Sequence, residues 1–144
     1  MQQLLTVCIG NICRSPIAEA LLKSHFADKT IWSAGIEALS GNPADPLSIK
    51  VAAARGLDLT AHRAQQLSGW MCKQADLILV MEQGHKTLLE ERYPLARGKI
   101  FRLGEVGKFE IEDPYRKPEE AFEIAFERID QGVADWADRI RKLG

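Results

Sequence analysis

The chain has 144 residues, 46% of them hydrophobic and 27% charged, and a formal net charge of -1. That balance suits one globular domain, residues 1–144, and leaves no electrostatic footprint for nucleic acid or for an anionic membrane. Three cysteines without a Cys-x-x-Cys pair, with His25, His62 and His85 at no zinc-like spacing from them, argue against a disulfide framework and a structural metal.

Met1-Gln2-Gln3 leads straight into an apolar strand, Leu4 to Val7, without the regions of a signal peptide. No stretch nears the ~20 apolar residues of a spanning helix. A cytoplasmic enzyme that is not inserted in a membrane is therefore the expectation. The strand runs into Cys8-Ile9-Gly10-Asn11-Ile12-Cys13-Arg14-Ser15, a Cys-x5-Arg-Ser segment. Ser15 reads as the cap of a helix with Pro16 at its first position and Glu19 in its first turn, continuing to about Ala27. A loop between strand and helix can turn its backbone N–H groups inward, and the helix dipole adds positive potential there. The concavity fits a tetrahedral oxyanion of phosphate size with a thiol beneath it.

Thr30 to Ala34 reads as a second strand ended by Gly35, followed by a loop from Glu37 to Ala44. Asp45-Pro46 opens a second helix that stops at Gly56. Ser68 starts a short helical turn toward Ala75, where Cys72 is expected to be buried and inert. Asp76 to Met81 is a continuous apolar run, as for a strand covered on both faces. Glu82 to Arg92 is helical, and Lys99 to Leu103 is a fourth strand. After Asp113-Pro114, the helix from Pro118 places Phe122, Phe126, Ile129, Val133, Trp136 and Ile140 on one stripe. The sum is an α/β fold in three layers, a four-stranded parallel sheet with helices on both faces and a phosphate-binding loop after the first strand. Ligands bind such sheets beyond the carboxyl ends of the strands, where Cys8 lies.

Cys8 meets three influences that favour a thiolate: inward N–H groups, the helix dipole and Arg14. Ser15 can add a hydroxyl hydrogen bond to the sulfur. Arg14 can present two N–H groups to two phosphate oxygens, a geometry that lysine lacks. Gly10 permits close approach of the backbone, and Asn11 tolerates left-handed torsions. Thiolate attack on phosphorus needs an acid for the leaving oxygen, because a phenolate (pKa about 10) departs poorly at neutral pH. Asp113 is the candidate, since the following proline biases its backbone to an extended form that projects the side chain.

The chain resembles a low-molecular-weight protein tyrosine phosphatase from Leu4 to the last helix. Cys8 through Pro16 matches that family's phosphate loop, and Asp113-Pro114-Tyr115 its general-acid loop. Ser33-Ala34-Gly35 matches the segment whose serine, with Asn11 and a histidine, here His62, braces the loop. The resemblance implies Cys8 as nucleophile, Arg14 as phosphate and transition-state binder, Ser15 as thiolate partner and Asp113 as acid and then base, without metal or cofactor. It also implies a reversible disulfide between Cys13 and the nucleophile. Ile9, Ile12, Leu39 and Tyr115 are the expected walls of a phosphotyrosine pocket. Glu37-Ala38-Leu39-Ser40-Gly41 carries no aromatic residue, which resembles the bacterial branch acting on membrane tyrosine autokinases of capsule and exopolysaccharide export. The substrate implied is thus a tyrosine-phosphorylated protein. An arsenate reductase on the same fold would need a further reactive thiol, for which only Cys72 is available. A non-catalytic phosphate-binding module would not need Cys8, Arg14 and Asp113 together.

Overall fold

The computed structural model describes residues 1–143. Its strands are β1 (Gln3–Cys8), β2 (Thr30–Gly35), β3 (Leu77–Val80) and β4 (Ile100–Arg102). Its α-helices are α1 (Arg14–His25), α2 (Pro46–Ala53), α3 (Gly69–Gln74), α4 (Gln83–Arg92) and α5 (Glu119–Lys142), with one 3-10 turn at Pro94–Ala96. The strands form one parallel sheet in the order β2-β1-β3-β4. The order reverses at β1, so its carboxyl end is a topological switch point, and the loop after Cys8 lies there.

Alternation along the strands builds two cores. Leu4, Leu77 and Leu79 pack with Ile17 and Leu22 of α1 and with Phe122, Phe126 and Ile129 of α5. Leu5, Val7, Ile78, Val80 and Ile100 pack with Cys72 of α3 and Leu89 of α4 on the opposite face. Successive strand residues point to opposite sides, so a continuously apolar β3 feeds both cores and yields the three layers. All six residues of the α5 stripe are buried, and each contributes about 1.5–3 kcal/mol relative to exposure. The helix docks closely: a Cβ on Gly132 would lie 2.8 Å from the Leu103 carbonyl oxygen. Trp136 Nε1 donates to the Arg102 carbonyl at 3.1 Å. None of the described helices is long and apolar enough to cross a membrane.

Element starts depart from the sequence reading in two places that bear on function. Helix α1 begins at Arg14, with Cys13 at the cap position and no side-chain cap. Ser15 lies inside the first turn because its hydroxyl is used elsewhere, as described below. Helix α4 begins at Gln83, and Glu82 at its cap position does not cap it either. By contrast Asp45 and Ser68 cap α2 and α3 as their sequence contexts imply, accepting from Leu47 N and Met71 N. Strand β3 is shorter than the apolar run, because the Asp76 carboxylate instead accepts the N–H groups of Gln2 and Gln3, both at 2.8 Å.

Candidate active site

The loop from Cys8 to Cys13 has every carbonyl held from outside. Ile36 N donates to the Cys8 carbonyl, Glu37 N to Ile9, Leu39 N to Gly10 and Asp45 N to Ile12, at 2.9–3.1 Å. His62 Nε2 donates to the Asn11 carbonyl at 2.7 Å, and Ser48 Oγ to the Cys13 carbonyl at 3.1 Å. A peptide unit is planar and trans, so an outward carbonyl turns the next N–H inward. The N–H groups that follow therefore converge on the space above Cys8, and none of those from Gly10 to Cys13 donates to a protein acceptor among the described residues. The result is an anion cradle continuous with the start of α1.

Asn11 organises this loop with its backbone at φ 59, a left-handed torsion that asparagine tolerates better than most residues. Its Nδ2 donates to Ser15 Oγ at 2.8 Å and to Ser33 Oγ at 3.0 Å, while its Oδ1 accepts Gln65 N at 2.9 Å. Ser33 in turn donates to Glu19 Oε1 at 2.5 Å. Ser15 Oγ lies 2.9 Å from Cys8 Sγ. Since Ser15 already accepts from Asn11, its own proton is free to be donated to the sulfur. Ser33, Asn11, Ser15 and His62 are thus joined in one network, as the sequence suggested. Gly10 is not forced by internal packing, since a Cβ there would meet Ile12 and Leu39 at 3.7–3.9 Å. Gly35 is the tighter position: a Cβ would sit 2.6 Å from the Ile9 carbonyl oxygen.

Arg14 is 1% exposed. Its Nη1 donates to Glu82 Oε2 at 2.6 Å and to the Ile111 carbonyl at 2.8 Å. Its Nε has no partner, and Nη2 lies 3.7 Å from Asp113 Oδ2. One edge of the guanidinium is therefore anchored and the other is left to receive two oxygens side by side. Behind Glu82, His85 Nε2 lies 3.5 Å from the same carboxylate. Burial, with the Arg14 charge, holds the His85 imidazole below its ordinary value of 6.5.

Asp113, in the loop between β4 and α5, reaches this end of the sheet because Ile111 N bonds to the Met81 carbonyl at the close of β3. Its Oδ1 accepts Tyr115 N at 3.0 Å, and its side chain is 44% exposed. The cleft above Cys8 is about 250 Å³ and is walled by Ile9, Ile12, Leu39 and Tyr115, with Glu37 and Arg116 also lining it. These four are the residues that the sequence reading names as walls. Cys13 also lines the cleft, its Sγ 3.9 Å from Asp45 Oδ2. Burial first, and the Asp45 carboxylate second, push its thiol far up, so it stays protonated. Cys72, buried under α3, is pushed up to about 11, mainly by desolvation. All three cysteines are free thiols.

Sequence reasoning missed Glu82, the Ile111 carbonyl, Gln65, Glu19, Arg116 and Glu37. Glu82 had a usable signal: a lone acid two residues past a wholly apolar strand sits where such sheets bind ligands. The other groups arrive through tertiary folding alone.

The sequence profile of the family described as low molecular weight phosphotyrosine protein phosphatase matches residues 3–143. EpsP of Ralstonia nicotianae, described as a probable low molecular weight protein-tyrosine-phosphatase, is 52% identical over 144 residues, covering 100% of this chain and 99% of that protein. The structure of Vibrio vulnificus Wzb in complex with benzylphosphonate superposes with a TM-score of 0.92 at 45% identity, covering 96% of this chain and 98% of that one. The tyrosine phosphatase Wzb from Escherichia coli K30 in complex with sulphate gives 0.94 at 39% identity, with the same coverage.

Proposed function

The chain belongs to the low molecular weight protein-tyrosine-phosphatase family, and on that premise we propose that it hydrolyses phosphotyrosine in proteins through a phosphocysteine intermediate. The observation that carries the reading is the cradle: six outward carbonyls leave inward N–H groups over a sulfur that a serine hydroxyl supports. A phosphoryl group seated there meets the backbone N–H groups and the free Nε and Nη2 edge of Arg14. In-line attack by the Cys8 thiolate forms an S–P bond as the P–O bond to the tyrosyl ring breaks, and Asp113 gives its proton to the departing phenolate. Asp113 then takes a proton from water, whose oxygen bonds to phosphorus while the S–P bond breaks and phosphate leaves. Ser15 steadies the returning thiolate. Charge gathered on the equatorial oxygens is met by fixed dipoles and Arg14 without reorganisation, which is where most of the rate enhancement arises.

The relatives named above come from bacteria, and the variable loop of this chain lacks an aromatic residue. The proposed substrate is accordingly a tyrosine-phosphorylated protein of the membrane autokinase type that controls exopolysaccharide export, met on the cytoplasmic side. Two assays test the reading together. Release of phosphate from a phosphotyrosine peptide, with none of the thioredoxin-coupled reduction of arsenate, is expected; the reverse pattern refutes it. A Cys8→Ser variant used as bait in a lysate of the source cell should retain a tyrosine-phosphorylated kinase, and retention of no phosphotyrosine protein refutes the partner.

A further inference from the structure

The mouth of the cleft carries two charges that the protein itself does not use. Arg116 and Glu37 line the cavity from its two bordering loops, Arg116 beside Tyr115 and Glu37 near Leu39. Both are exposed. Neither takes part in an ion pair among the described residues. Their charged neighbours are committed: Lys117 is held by Glu112 at 2.7 Å and Arg14 by Glu82 at 2.6 Å.

The direction of Arg116 is built into its loop. Asp113 Oδ1 accepts Tyr115 N, and the Pro114 carbonyl accepts Lys117 N at 2.9 Å, closing a tight turn. Arg116 takes φ 63 within it, a torsion unfavourable for a long side chain. Its guanidinium lies 5.2 Å from the centre of the Tyr115 ring, which steadies a cation against the aromatic wall. On the other loop, Glu37 N is tied to the Ile9 carbonyl at 2.9 Å. Arg116 is thus steadied against the aromatic wall and Glu37 rises from an anchored backbone, so both charges border whatever ring enters the cleft.

We propose that this pair reads the polarity of the substrate: the bound segment carries acidic side chains on the side of its phosphotyrosine that meets Arg116 and basic ones on the side that meets Glu37. An extended chain rises about 3.3 Å per residue, so positions one and two from the phosphotyrosine fall about 3–7 Å away, within reach of the rim. The inference rests on the phosphotyrosine reading above and narrows its substrate class.

The test uses three phosphotyrosine peptides of one length: aspartates before and lysines after the phosphotyrosine, the mirror order, and neutral residues on both sides. The readout is the ratio of kcat/KM values within each protein variant, so differences in general activity cancel. At low ionic strength one charged order should exceed its mirror by about tenfold, with the neutral peptide between, because two exposed attractions are exchanged for two repulsions. Arg116→Asp and Glu37→Lys should each shrink the ratio, and the two together should invert it. Aspartate suits the left-handed torsion at 116 at least as well as arginine, so the loop keeps its shape. Salt at about 1 M, where screening acts within ~3 Å, should level the three peptides. Both charged orders within about twofold of each other at low salt, or a ratio untouched in the combined variant, overturns the proposal. Hydrolysis of none of the three peptides is a separate result that fells the phosphotyrosine reading and this inference with it.

Discussion

The phosphate loop and the acid loop meet over the same cleft but are built in opposite ways. From Cys8 to Cys13 every carbonyl is held by a protein donor, the Asn11 side chain is fully paired, Arg14 is 1% exposed, and the groups left unpaired are the inward N–H groups and Arg14 Nε. From Glu112 to Lys117 the chain is mostly exposed, and Asp113 is held by one hydrogen bond and a 3.7 Å approach to Arg14. Stabilising a developing charge rewards fixed dipoles, since donors that must reorient lose what they gain. Passing a proton to a leaving group and admitting a protein segment reward access. The cradle is thus folded into the core, while the proposed acid, Asp113, and the proposed specificity pair, Arg116 and Glu37, ride on the rim.

The largest effect should come from the buried half. Arg14→Lys keeps the charge but loses the side-by-side N–H edge, and kcat on phosphotyrosine should fall about 10³-fold. A loss under tenfold would show that the cradle does not depend on that edge. Asp113→Asn should lower kcat/KM, which reports the step that forms the phosphocysteine, about 10²-fold for phosphotyrosine and much less for esters of acidic phenols, because those leaving groups depart without a proton. Equal slowing of both would remove Asp113 from the role of acid. Asn11→Ala strands Gln65 N and unlinks Ser15 from Ser33, and should cost about 1–3 kcal/mol of stability in urea unfolding. An unchanged midpoint would contradict the bracing account.

Smaller effects separate anchoring from contact. Glu82 positions the Arg14 guanidinium without facing the cleft, so Glu82→Gln should lower kcat about tenfold, consistent with the cost of slight misplacement. Inhibition by free phosphate should weaken alongside, and Glu82→Asp should restore part of both. A change in KM alone would refute positioning. His85 supplies the mildest test. Burial keeps it neutral in the fold below its ordinary value of 6.5, so the unfolded chain binds that proton more readily. Stability should be unaffected above pH 6.5, fall as pH drops below it, and level off beneath the folded value. His85→Gln should flatten that acid-side slope, and an undiminished slope in the variant would assign it to other groups.

What the sequence revealed follows the same division between local and assembled features. The Cys8 loop lies within eight consecutive residues between a strand and a helix, and the Asp113-Pro114-Tyr115 loop is equally compact, so both were legible. The α5 stripe was legible because its periodicity repeats over five turns or more. Ser15 reads locally as a helix cap, since a serine before proline has that preference, and only the folded loop brings Cys8 and Asn11 to its hydroxyl. Glu82 reads as the first residue of a helix for the same reason: its partner is 68 positions away in the chain. Carbonyl direction, which makes the cradle, has no sequence signal, because its donors come from Ile36, Glu37, Leu39, Asp45, Ser48 and His62 on three later segments.

In the proposed mechanism the phosphoryl group passes through the sulfur of Cys8. Mixing the Asp113→Asn variant with an ester of an acidic phenol, quenching in neutral denaturant within one turnover and weighing the digested peptides tests it most directly. One added phosphoryl group is expected on the peptide containing Cys8, appearing with the released phenol and decaying as phosphate is freed. Turnover without that adduct, or with the added mass on another residue, would contradict it.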